Sequence, residues 1–329
     1  MGLIYRKAIT IITLKAYKYK RRTKKVADLF NQFKFPILNK LDLVLGARYA
    51  NQWMNASTTT ENSSTHDHFL ANEQGLIWHQ TSNLEFYLRR DTDYRFINGK
   101  EKLWGANGNI NNVQMQTGIS YETGLKWHQG VNKFEFGIYR LDLNNEITYT
   151  PDTNNGFGTV SNLPPTRRIG LNIYDQASLS KNLILNTQAS LVRARVSSGT
   201  YAGKQVPAVS PISAGLGLTY TWPKDWSFNI MENYYSSSYP ANDLDNKGTD
   251  QNGSKVPGYF LTDLNIRKKW EKLTINLSIK NLFNKNYARY SLYSPAMYTS
   301  DHQQIQGART TYYPADGITA LFTIEYNWA

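Results

Sequence analysis

The chain has 329 residues, a net charge of +12, 13% aromatic residues that include 23 Tyr and 8 Trp, and no cysteine. No apolar run reaches the roughly 20 residues of a membrane-spanning helix, and without Cys there is no disulfide framework, thiolate metal site or cysteine nucleophile. The charge is uneven: the first 25 residues hold nine Lys or Arg and no acid, and with no recognition helix or aromatic RNA platform beside it this basic arm reads as solvated surface, with no nucleic acid as partner.

In chain order, residues 1–25 form a basic segment in which 7–17 suit one strand and 17–25 a turn. The run Ala8-Ile9-Thr10-Ile11-Ile12-Thr13-Leu14 is interrupted by Lys15 and leads to no small-residue cleavage site, so the start does not read as an export signal. Residues 26–329 repeat one pattern, which favours a single unit. A strand over 26–37 meets the turn Leu38-Asn39-Lys40, and 41–49 follows with Leu41, Leu43, Leu45, Ala47 and Tyr49 on one face. A Ser/Thr/Asn/His-rich loop is expected over 55–74.

The rhythm then recurs. Strands over 75–80 and 84–96 flank the turn 81–83, with a long loop to about 116. Those over 118–128 and 133–149 flank 129–132; Ile119, Tyr121, Thr123, Leu125 and Trp127 share a face. Strands over 168–180 and 183–196 surround the turn at 180–182, and those over 214–222 and 226–239 surround Pro223-Lys224-Asp225. The last stretch alternates most cleanly. Phe260, Leu264, Ile266 and Trp270 oppose Asp263, Asn265, Arg267 and Lys269; the chain turns at Glu271-Lys272, returns over 273–280, crosses a long aromatic loop, and ends with Ile318, Ala320, Phe322, Ile324, Tyr326 and Trp328 opposite Thr319, Leu321, Thr323, Glu325 and Asn327.

About fourteen strands result, and after residue 26 short and long connections alternate, so that every short turn falls on one rim. Long strands with one apolar and one polar face, short turns at one end and long loops at the other are the pattern of an all-β, antiparallel, up-and-down transmembrane β-barrel. The tryptophans agree: Trp78, Trp127, Trp222, Trp226, Trp270 and Trp328 lie near short turns or the C-terminus, which suits indoles at a membrane interface. A β-sandwich or solenoid would also alternate, but its strands are usually shorter. Inward charges such as Asp42, Arg48, Glu122, Lys126, Asp263, Arg267 and Glu325 are expected to face a polar lumen.

No catalytic constellation emerges: GxSxG, HExxH and phosphate-cradling glycine loops are all lacking, so no enzyme and no cofactor is expected. His66-Asp67-His68 reads as a loop feature rather than a metal site, because adjacent residues seldom converge on one ion.

Five pieces in order resemble the barrel of TonB-dependent outer-membrane receptors: Leu43-Val44-Leu45-Gly46-Ala47-Arg48-Tyr49, Tyr121-Glu122-Thr123-Gly124-Leu125-Lys126, Gly203-Lys204-Gln205-Val206-Pro207, Lys280-Asn281-Leu282-Phe283-Asn284-Lys285-Asn286-Tyr287, and Tyr312-Tyr313-Pro314. The set is most similar to the siderophore-receptor branch, which includes ferric-citrate-type receptors. Pro314-Ala315-Asp316-Gly317 departs from the proline-glycine-arginine of that family, and Ala329 follows the terminal aromatic. The resemblance implies uptake of a ferric siderophore or similar iron chelate across the outer membrane of a Gram-negative bacterium. Its large transporters have 22 strands around a plugged lumen, so this chain is expected to be the C-terminal portion of such a receptor, with the TonB complex as partner only if a plug is supplied. A passive diffusion channel and a soluble carbohydrate-binding β protein are the alternatives. Ferric siderophores are often anionic, so ligand binding is expected of Arg and aromatic groups at long-loop strand ends. These are Arg95, Trp104, Tyr149, Tyr234, Tyr235, Tyr239, Arg289, Tyr290, Tyr298, Arg309, Tyr312 and Tyr313. Each tyrosine among them would equally suit an outer aromatic girdle.

Overall fold

A computed structural model describes residues 7–19, 22–58, 61–103, 110–150, 159–247, 255–294, 297–298, 304–306 and 309–328. The strands in chain order are β1 (Lys7–Tyr19), β2 (Arg22–Leu38), β3 (Leu41–Ser57), β4 (Asn62–His79), β5 (Leu84–Arg95), β6 (Gln116–Gln129), β7 (Asn132–Asn144), β8 (Ile147–Thr150), β9 (Thr159–Asn162) and β10 (Thr166–Ser180). They continue as β11 (Leu183–Val196), β12 (Ile212–Trp222), β13 (Trp226–Tyr235), β14 (Tyr259–Lys269), β15 (Leu273–Lys280), β16 (Ala288–Ser294), β17 (Met297–Tyr298), β18 (Gln304–Gln306), β19 (Arg309–Pro314) and β20 (Thr319–Tyr326), with one short helix, α1 (Gly99–Leu103). Fourteen of them form one antiparallel sheet in which each strand lies beside its successor: β1 to β7, then β10 to β15, then β20. The remaining six pair off as small hairpins within the long connections. No helix among the described residues is long and apolar enough to cross a membrane, which says nothing of crossing by strands.

Register keeps the two faces of this sheet distinct. Leu41 pairs with Trp78, Leu84 with Trp127, Trp222 with Trp226 and Ile266 with Leu277, so apolar positions align across strands. Since successive side chains alternate, the opposite positions align too. That face carries Asp28 bonded to Arg48, Gln32 to Glu73, Lys34 and His79 to Asp42, and Tyr87 to Glu122. The apolar face stays exposed, at Leu216, Ile230, Phe260, Phe322 and Ile324 among others. Such a sheet suits lipid on one side and a wet, charged interior on the other.

The charged face is smoothed by glycine. Tyr87 on β5 lies across the directly paired Gly124 and Gly137 on β6 and β7, and a Cβ at either would stand 2.8 Å from its hydroxyl. Tyr139 covers Gly170 in the same way. The ring takes the space of the missing side chains, so these strands offer a flat wall rather than a ridge. At the short-turn rim, Lys224 and Asp225 both adopt positive φ (63° and 60°) in the three-residue loop between the paired Trp222 and Trp226.

Three expectations change. The polar stretch 55–74 is mostly strand: β3 runs to Ser57, β4 starts at Asn62, and the two are hydrogen-bonded throughout. The stretch read as loop because it lacks an oily face, but a ribbon standing in water needs none; Trp53 stacks on His66 there, with ring centroids 4.8 Å apart. The alternation of short and long connections therefore fails at β3–β4, whose strands are long and whose connection is brief. Second, the strand expected over 7–17 is present as β1, but most of the turn expected over 17–25 is strand: β1 runs to Tyr19, β2 starts at Arg22, and the two pair from Tyr19–Arg22 to Lys7–Lys34, so that position 25/26 falls inside β2. Third, the loops hold structure of their own. The small buried core of Met54, Ile97, Val113 and Val160, with Ile147 and Tyr149 against it, forms where the connections after β5 and β7 fold back onto the inner face of β3.

Candidate functional site

A group of cations and tyrosines gathers on the inner face at the long-loop end of β13 to β15. Tyr259 opens β14 on the polar face, across from Tyr235 (5.2 Å between ring centroids), and Tyr287 stands 4.6 Å from Tyr259 on its other side. The Arg289 guanidinium sits 5.8 Å over the Tyr287 ring, and its hydrogen bond with that tyrosine holds its pKa above the ordinary value, so it remains a cation. Beside them opens a cleft of about 500 Å³ lined by Pro257, Tyr259, Lys285, Tyr287, Tyr312 and Pro314.

The cleft is shaped by an asparagine clasp. After β15 the chain cannot continue as strand because Asn281 and Asn284 both take positive φ (51° each), a conformation asparagine tolerates. The buried Asn281 side chain donates to Lys285 O (3.0 Å) and Asp316 O (3.3 Å) and accepts from Lys285 N (2.8 Å), while its own N–H reaches Asp263 Oδ1 (2.9 Å). Asn284 Oδ1 accepts from Ile318 N (3.0 Å). One turn thus fixes Lys285 and Tyr287 in place and ties the end of β15 to the start of β20.

The residues expected to bind ligand separate. Tyr235, Arg289 and Tyr312 gather at the cleft or the rings beside it. Tyr234 takes the opposite face, against Phe260 (4.5 Å), where it belongs to the outer surface. Tyr290 and Tyr313 pair at 5.3 Å on the β16–β19 hairpin, and burial pushes the Tyr290 hydroxyl pKa up, with Tyr313 and Tyr149 adding to it. Tyr149 packs on the Met54 core. Tyr239 carries the Lys255 ammonium 4.7 Å over its ring. Arg95 is ion-paired with Glu101 of α1, which it steadies, and Arg309 ends its hairpin exposed, paired in register with Ser294. Trp104 and the side chain of Tyr298 lie outside the described residues. Of the six rim tryptophans, Trp78, Trp127, Trp222, Trp226 and Trp270 fall on the outward face beside the short turns, and Trp328 is exposed past β20. Asp42, Arg48, Glu122, Lys126, Asp263, Arg267 and Glu325 all share the inward register.

Tyr259, Tyr287 and Lys285 were not among the expected ligand residues. Tyr259 was legible, because it precedes Phe260 on the strand whose other positions alternate. Tyr287 and Lys285 belong to the Lys280–Tyr287 piece that carries the family resemblance, and nothing in their spacing says that the two asparagines turn them toward β14.

Comparison with known proteins gives the following. A family model described as the TonB dependent receptor-like β-barrel matches residues 5–282. Among solved structures, the ferric-catecholate import receptor Fiu from E. coli K12 aligns with a TM-score of 0.67 at 17% identity, covering 93% of this chain and 45% of its own. The copper transporter OprC aligns at 0.70 and 15% identity (93% and 48%), and the ferric citrate transporter FecA, in its unliganded form, at 0.63 and 16% identity (93% and 46%). This chain therefore spans about half the length of the structures it resembles.

Proposed function

The chain belongs to the TonB-dependent receptor-like β-barrel family, and from that premise we propose that it serves the energised uptake of a ferric siderophore or similar anionic iron chelate across the outer membrane of a Gram-negative bacterium. The TonB complex would be the energy source, acting through a plug inside the barrel. The observation that carries this reading is the cationic, tyrosine-lined cleft at the long-loop end: Lys285 and Arg289 supply charge, and Tyr259, Tyr287 and Tyr312 supply flat faces for the planar parts of such a chelate. Import of ferric catecholate and ferric citrate by similar structures supports iron chelates as the class. The reading needs only binding at the cleft by this chain; transport belongs to the whole receptor.

The test is quenching of intrinsic fluorescence in the purified, detergent-solubilised full chain by ferric catecholate, ferric citrate and ferric hydroxamate probes. Saturable quenching by one of them is expected. Arg289→Gln with Tyr287→Ala should weaken it roughly tenfold or more, the order for losing one charge-assisted contact and one stacking face. Quenching by none of the three, or by one that the double variant leaves unchanged, would overturn the proposal.

A further inference from the structure

Charged residues are sparse on the outward face, where Arg90, Asp175, Glu232 and Lys268 stand apart from one another, and only one panel of the described sheet gathers several cations. Three strands meet there in register. Ile169 on β10 lies between Arg140 on β7 and Arg193 on β11, and one step further Arg167 lies between Asp142 and Arg195. Neighbouring strands lie about 4.8 Å apart and alternate residues about 7 Å apart along a strand, so four arginines and one aspartate rise from a patch of roughly 10 by 7 Å. Arg140 Nε and Arg167 Nε both donate to Asp142, at 2.7 and 2.5 Å, and Arg195 donates to Gly203 O. One carboxylate cannot balance four guanidiniums. Arg140, Arg167 and Arg193 remain exposed, with planar forks suited to paired contacts with oxyanions.

Position says which oxyanion. A tilted strand needs roughly 9–11 residues to cross the hydrocarbon, and counted from the short turns at Gly130 and Asn182 that span ends at the level of Arg140 and Arg193. Toward the turns, the same face holds Phe134, Phe136 and Ile138 on β7, Leu171 and Ile173 on β10, and Leu191 on β11. A molecule that fits must carry phosphate above and acyl chains below. We propose that this panel binds the phosphate groups of an anionic lipid of the outer leaflet, its chains lying along the apolar strands beneath. The inference rests on the outward face meeting lipid and is independent of the ligand proposed for the cleft.

The test is native mass spectrometry of the purified full chain, delipidated and titrated with diphosphorylated lipid A or with the same lipid after dephosphorylation. The phosphorylated form should be retained roughly tenfold better. Arg167→Gln with Arg193→Gln should abolish that preference, whereas Lys181→Gln, a charge loss at the opposite rim of the same strands, should leave it intact. Asp142→Asn frees two guanidiniums and should strengthen retention a few-fold, an outcome that misfolding cannot produce. Inorganic phosphate at millimolar concentration should not compete; if it displaces the lipid, the panel is a free-phosphate site and the proposal fails. Equal retention of both lipids overturns it while sparing the lipid-facing reading, and retention of neither overturns both.

Discussion

Asn281 illustrates how much one side chain can hold. It is buried, its three side-chain hydrogen bonds reach two segments on either side of the last long loop, and its backbone sits at a φ that most residues avoid. Asn281→Ala removes those bonds and leaves carbonyls unpaired, so it should destabilise the chain by about 1–3 kcal/mol, read as a lower urea midpoint for unfolding in lipid vesicles. Asn281→Asp keeps the acceptor but loses the donor and should fall between the two. At Gly124 the limit is space: a Cβ there meets Phe136 O at 2.1 Å and the Tyr87 hydroxyl at 2.8 Å. Gly124→Val should therefore give a chain that no longer migrates as a heat-modifiable compact band on gels, while Gly130→Asn, in an open turn at positive φ, should leave that band in place.

At the scale of the strand, alternation decides everything, and it was readable wherever lipid and lumen differ. Phe260 to Trp270 split onto two faces in the sequence just as they do in the sheet, because an oily side and a wet side impose a period of two. Where both sides are wet the period vanishes, and residues 55–74 looked like a loop although Tyr49, Trp53, His66 and His68 stack along one side of a ribbon. The hairpins inside the long connections were illegible for a related reason: β16 is held by pairing with β19 and by the backbone of Ala241, a partner far away in sequence. Since the chain has no native cysteine, alternation can be tested directly. In reconstituted vesicles, Asn265→Cys should react with a water-soluble maleimide and Leu264→Cys should not; equal labelling would refute the two-faced sheet.

Over the whole molecule, the short turns from β2–β3 to β14–β15 gather at one end, while the long connections and the brief β1–β2 and β3–β4 connections lie at the other. In intact cells, cysteine placed at Lys247 should be labelled from outside, and cysteine at Asn182 only after the outer membrane is permeabilised. The cleft was partly foreseeable because tyrosines and arginines crowd the final loop, yet which of them converge depends on a clasp and a turn that composition does not encode. One feature of the upper half reaches beyond ligand binding. With 17, 17 and 18 residues, β2, β3 and β4 are longer than a bilayer requires and stay hydrogen-bonded to their tips. With the long connections outside, as proposed, whatever approaches the cell would meet a stiff ledge rather than a wandering segment, and antibodies raised to that ledge on the folded chain should lose recognition once it is denatured on a blot.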